Sequence, residues 1–306
     1  MSVRTTNRAF AGLAAAIALA GLMVQSVAAT YPGTTNGRIV FGADVAGNID
    51  LYSTLPAGQS TLRLTEDPDF DACPAWSADG KRIAWCHGIR ASGGVIEIWT
   101  MKVNGEDKRQ VTHFGGRMTF PDFSPDGTRL VFTGRVPGGT NDDIWLVDAD
   151  GTNLVQLTND PGFDGSPAFS PDGNRIVFTS TRSEGTGQVF VMNADGTAQT
   201  QLTFDPVFKD QTPDWSPDGS RISYAAGDPG DILVMNADGS DQHTVVSGPT
   251  DDFGTSWSPD GRYIAFLRFD DRANRYVDLA DGSIHIVSTI GRQSVPAWQP
   301  RGDRLP

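Results

Sequence analysis

The sequence predicts an all-β protein. The expected architecture is a six-bladed β-propeller of four-stranded antiparallel blades, closed by pairing of its N-terminal and C-terminal strands. Three observations predict it. The first is a turn phrase that recurs as Ser77-Ala78-Asp79-Gly80, Ser124-Pro125-Asp126-Gly127, Ser170-Pro171-Asp172-Gly173, Ser216-Pro217-Asp218-Gly219 and Ser258-Pro259-Asp260-Gly261, with a decayed copy at Gln299-Pro300-Arg301-Gly302. The second is the period. The first large aliphatic residues after the turns are Ile39, Ile83, Leu130, Ile176, Ile222, Ile264 and Leu305, spaced 41–47 residues apart, the length of a four-stranded blade. The third is that the two chain ends are incomplete in complementary ways. Arg38–Gly42 matches the strand that follows the turn phrase, and Pro296–Gln299 matches the strand that precedes it. Joining them removes the sheet edges that would otherwise stand open.

Each element has a local reason. In the turn, Pro presets φ for the second position, Asp tolerates the third and Gly supplies a left-handed fourth. The result is a type I turn with a Gly bulge, joining antiparallel strands. The segment that starts at Arg175 shows the four strands of a repeat: Arg175–Thr179, Gln188–Met192, Thr200–Thr203 and Pro213–Ser216, the second closed by the turn Asn193-Ala194-Asp195-Gly196. Third-strand endings recur at Arg63-Leu64-Thr65, Gln110-Val111-Thr112 and Gln156-Leu157-Thr158. No ten-residue stretch after the leader has helical periodicity.

Residues 1–29 read as a cleaved signal peptide. Arg4 and Arg8 form a positive start, Ala9 to Val24 is apolar or small, and Val27-Ala28-Ala29 offers a cleavage site. The apolar run is short for a bilayer span. The expected mature chain is 30–306, one domain without a membrane span, exported to the periplasm or beyond and monomeric. The formal charge is −13, and loss of the leader makes it two units more negative. An acidic surface argues against nucleic acid and against anionic membranes.

Cys73 and Cys86 flank one turn on adjacent strands. In an exported chain this placement predicts a disulfide. The aromatic residue before each turn, Trp76, Phe123, Phe169, Trp215, Trp257 or Trp298, is expected to pack between neighbouring sheets.

The repeated Pro-x-[Trp/Phe]-Ser-Pro-Asp-Gly-x-Arg-Ile-x-[Phe/Tyr] phrase, seen at Pro167 to Phe178 and Pro213 to Tyr224, resembles the WD-type repeat of TolB-like β-propellers over the whole mature chain. The resemblance implies a bacterial, exported six-bladed propeller and a general habit of binding protein. TolB proteins carry an α/β domain ahead of the propeller, and here few residues separate leader and first strand, so their specific partner is not carried over.

Function is expected on the face of irregular loops, 88–94, 134–142, 180–187 and 268–274, opposite the uniform turns. There Asp71, Asp164, Asp210 and Asp252 each stand three residues before the repeated Pro or its Thr255 equivalent, where the other two repeats have Met118 and Gln293. Four carboxylates at a channel mouth suit a calcium ion or a basic partner segment. The competing expectation is that each Asp caps its own loop. No cofactor and no metal ligand set is expected, because His113, His243 and His285 fall on outermost strands of different repeats and His87 ends a central strand. A Gly-x-Ser-x-Gly elbow is absent. The expected role is non-catalytic recognition of a protein or envelope component. The alternative is an envelope-polymer lyase or hydrolase using acidic residues at the channel mouth.

Overall fold

The computed structural model of the chain describes residues 36–56, 58–89, 94–183, 186–205 and 211–300. The expected signal peptide lies outside the described residues, as does Asp210. All regular elements among the described residues are β-strands.

The sheets follow the repeat. In the sheet that opens at Asp164–Phe169, the order is Asp164–Phe169, Arg175–Ser180, Gln188–Asn193, Thr200–Gln201, each strand antiparallel to the last. The sheets beginning at Gln211–Trp215 and Asp252–Trp257 have the same order. The strands from Phe70–Trp76 to Val155–Gln156 make two such antiparallel runs, joined through one parallel bridge between Ile96 and Arg117. In the first sheet, Ile39–Val45 has C-terminal neighbours: Ile39 lies opposite Trp298, Val40 opposite Ala297, Ala43 opposite Gln293 and Asp44 opposite Arg292.

The outer strands are shorter than the sequence suggests, two residues in four of the repeats. The reason is a side chain. Thr65, Thr112, Thr158 and Thr203 follow these strands, are fully buried, and accept through Oγ1 the backbone N–H of Leu51, Ile98, Ile144 and Val189, each at 2.9 Å. A hydroxyl thus replaces the next ladder bond.

The core lies between successive sheets. Trp215, Ile222, Tyr224 and Met235 of one sheet pack on Val177, Val189 and Leu202 of the preceding one. The last sheet packs on the first: Ala265 and Val287 share a buried cluster with Ile39, Phe41, Tyr52 and Trp298. Trp76, Phe123, Phe169, Trp215, Trp257 and Trp298 are all buried in this layer. Across sheets, Arg129 stacks over Phe169, Arg175 over Trp215 and Arg221 over Trp257, the last two at 4.6 and 4.8 Å from the ring centroids. Cys73 and Cys86 are joined in a disulfide, with Cα atoms 5.7 Å apart.

Candidate functional site

The inner strand of each repeat has the same irregularity. Between Ala72 and Ala75, Thr119 and Asp122, Gly165 and Ala168, Gln211 and Asp214, and Phe253 and Ser256, the register shifts in a β-bulge. Pro has no N–H for the ladder, so a bulge is where an inner strand can hold it. The residue before it is left-handed: φ is 42° at Cys73, 51° at Phe120, 52° at Ser166 and 50° at Thr212, and Gly254, ahead of Thr255, has 73°. L-residues before Pro favour extended backbone, so each such position is strained. Neighbouring sheets hold it. Thr133 Oγ1 accepts the Ser166 N–H at 2.9 Å, and Thr212 Oγ1 accepts the Gly254 N–H at 3.0 Å.

These bulges meet. Residues 73–74, 120–122, 166–168, 212–214, 254–256 and 295–297 line one central cavity of about 130 Å³. A second cavity of about 170 Å³ shares Asp122, Asp214, Ser256 and Ala297 with it and runs to the turn phrases, where Pro125, Pro171, Pro217, Pro259 and Pro300 form a collar. No His, Lys or Arg lines either cavity.

Two carboxylates sit where the cavities join. The residue between the repeated Pro and the aromatic is Ala75, Asp122, Ala168, Asp214, Ser256 or Ala297. Asp122 Oδ2 accepts the Phe169 N–H at 2.8 Å, Asp214 Oδ2 accepts the Trp257 N–H at 3.0 Å, and Ser256 Oγ accepts the Trp298 N–H at 3.0 Å. Each ties its strand to the next sheet. Enclosure by protein pushes both carboxyls up to about 7, against the pull of those N–H donors, and the charge of Asp214 raises Asp122 further. At neutral pH each is divided between an acceptor-only carboxylate and a carboxylic acid that can donate. Sequence reasoning missed both residues. The alternation of Ala with Asp or Ser inside an otherwise constant phrase was the available signal.

The acidic positions chosen from the sequence sit elsewhere. Asp71, Asp164 and Asp252 are fully buried, line neither central cavity, and share no partner. Each is engaged by side chains from the strand beside it or the residues just after that strand. Arg182 Nη2 lies 2.7 Å from Asp164 Oδ2. Arg268 grips Asp252 with two bonds of 2.8 and 2.7 Å. Asp71 Oδ1 accepts the Trp85 Nε1–H at 2.6 Å and stands 2.8 Å from His87 Nδ1. Burial raises the Asp164 carboxyl despite Arg182. Met118 and Gln293 are likewise buried. Of the irregular loops, 134–142 is held by Asp142, which pairs with Arg135 at 2.7 Å and Arg117 at 3.3 Å. Residues 90–93 and 184–185 of the others are outside the described residues.

A family model for the TolB beta propeller domain matches residues 57–253. The solved structure of TolB from Acinetobacter baumannii superposes with a TM-score of 0.75 at 23% identity, covering 87% of this chain and 67% of that one. An oligogalacturonate lyase from Vibrio parahaemolyticus superposes at 0.56 with 16% identity, covering 82% of this chain and 74% of that one. At these identities the likeness concerns the fold alone. A dipeptidyl-peptidase 5 from Porphyromonas endodontalis is 31% identical over 93 residues, 30% of this chain and 13% of the relative. An uncharacterised protein of Agrobacterium fabrum is 36% identical over 78 residues, 26% of each chain. The chain therefore spans 13% and 26% of the length of these two curated relatives.

Proposed function

Because the chain belongs to the TolB beta-propeller family, we propose that it is an exported, non-catalytic recognition scaffold that takes a basic protein segment into its central cavity. The ring in this reading has six blades and closes between the two chain ends. The pairing of Ile39 with Trp298 and the shared cluster of Phe41 and Val287 support closure. The leader pattern and the disulfide support export. The observation that carries the recognition reading is the pair Asp122 and Asp214, two acceptors facing one axis with no cation beside them in the cavity lining. A Lys or Arg side chain entering there would neutralise two enclosed carboxylates and bring both below their raised pKa. The proline collar and buried aromatics give the approach a rigid, mostly apolar wall.

One observation favours a second reading. Two enclosed carboxyls poised near 7 are also suited to general acid–base work, and an oligogalacturonate lyase shares the fold. Titration calorimetry at pH 8 with a Lys-rich peptide, beside an assay for cleavage of acidic polysaccharide, separates the two. Recognition requires saturable heat that falls at least about tenfold in affinity in the Asp122→Asn, Asp214→Asn double variant. Cleavage lost in that variant, without peptide binding by the native chain, would replace the scaffold reading with the enzymatic one.

A further inference from the structure

Asp71 differs from Asp164 and Asp252, which hold the same place in two other sheets. Asp252 faces Arg268 directly across the ladder, and Asp164 meets Arg182, so each of these buried carboxylates has a permanently charged guanidinium. At Asp71 the residue across the ladder is His87, whose charge is conditional. Further acid surrounds it. Asp69 Oδ2 lies 3.7 Å from His87 Nε2, and Asp67, Asp71 and His87 each present a ligand atom within 4.8 Å of the others. Three carboxylates thus meet one imidazole where those two sheets pair one carboxylate with one guanidinium. Asp71 is wholly buried, and its second oxygen, Oδ2, has no hydrogen-bond partner. An enclosed carboxylate oxygen left without a donor is costly unless a cation meets it.

We propose that Asp67, Asp71 and His87, with Asp69 beside them, form a binding site for a divalent transition-metal ion on the irregular-loop face, separate from the central cavity. His87 Nδ1 and Asp71 Oδ1 stand 2.8 Å apart, near the roughly 3 Å between adjacent ligands of one six-coordinate ion with bonds of about 2.0–2.1 Å, so imidazole and carboxylate can meet one ion. Asp69 Oδ2, 3.7 Å from His87 Nε2, stands on the other side of the ring, where a carboxylate orients a metal-bound imidazole. One imidazole with several carboxylates suits Mn²⁺ or Zn²⁺ over thiolate-preferring ions. The ligands join the loop 66–69 to the strand Arg82–Ile89 next to Cys86, so the ion would pin that loop to the disulfide-bonded hairpin.

The test is titration calorimetry and thermal melting of the full mature chain with MnCl₂ and with ZnCl₂, after treatment with EDTA. One ion per chain is expected, with a rise in melting temperature that EDTA reverses. Asp67→Asn should weaken binding at least about tenfold. His87→Arg introduces the pairing that Asp164 and Asp252 have, so it should abolish binding and melt in EDTA no lower than the native chain. No binding by the native chain at millimolar metal would overturn the proposal. Equal affinity in Asp67→Asn would overturn it also, since His113, His243 and His285 remain in that variant, and it decides the matter even if His87→Arg fails to fold.

Discussion

At the scale of residues, the turn phrase is more than a backbone preference. In all five copies the Ser Oγ–H donates to the Asp Oδ1 two residues on, at 2.6–2.7 Å. The same Ser Oγ accepts the N–H of the residue five positions on, and that Asp Oδ1 accepts an N–H two positions on. These bonds hold the Asp126 carboxyl down at about 2, the Ser124 hydroxyl contributing most. Ser170→Ala removes one donor and one acceptor and should destabilise by about 1 kcal/mol in urea denaturation. The cavity carboxyls behave oppositely. Asp122 and Asp214 bind protons more tightly folded than unfolded, so their contribution falls as pH rises from about 4 to about 7 and is flat above. Asp214→Asn keeps the acceptor for the Trp257 N–H and removes the charge. It should raise the melting temperature by a few °C at pH 8, about 1 kcal/mol, and leave it unchanged at pH 4. An equal gain at both pH values would show that enclosure of charge is not the cause.

At the scale of elements, the outer strand of each sheet depends on the buried Thr that follows it. Thr203→Val keeps the shape but leaves the Val189 N–H and the Gln188 Oε1 without the hydroxyl they meet now, at 2.9 and 3.0 Å. The expected loss is about 1–3 kcal/mol by denaturation. Amide exchange should show it first at Val189 and Leu202, whose bonds anchor that edge. A cost confined to global stability, with unchanged exchange at those amides, would contradict the edge-anchoring role.

At the scale of the whole molecule, the C-terminal segment is the inner neighbour of the first strand. Besides the ladder pairs, Gln299 exchanges bonds with Arg38 at 2.8 and 3.0 Å and donates through Nε2 to the Gly80 carbonyl at 3.0 Å. Deleting residues 292–306 exposes the edge of Ile39–Val45 and the buried faces of Phe41 and Tyr52. Light scattering should show aggregation, and melting should begin well below that of the native chain. A monomeric, unshifted melt would rule out closure through the two ends.

The sequence by itself determined what repeats. Turn chemistry is local, so five copies of one phrase specified the hairpins, and their period specified the strand order. The incomplete ends announced the pairing of Ile39 with Trp298, and the placement of Cys73 and Cys86 announced their bond. Tertiary structure decided what each carboxylate meets, because that depends on residues brought in from other strands and sheets. Asp71, Asp164 and Asp252 share one sequence position, yet one meets His87 and two meet arginines, a difference set by the adjacent strand and the residues that follow it. Asp122 and Asp214 stand 92 positions apart in the chain and look like ordinary strand acids. Only the convergence of the inner strands encloses them together, and enclosure, which no local pattern encodes, is what moves their protons.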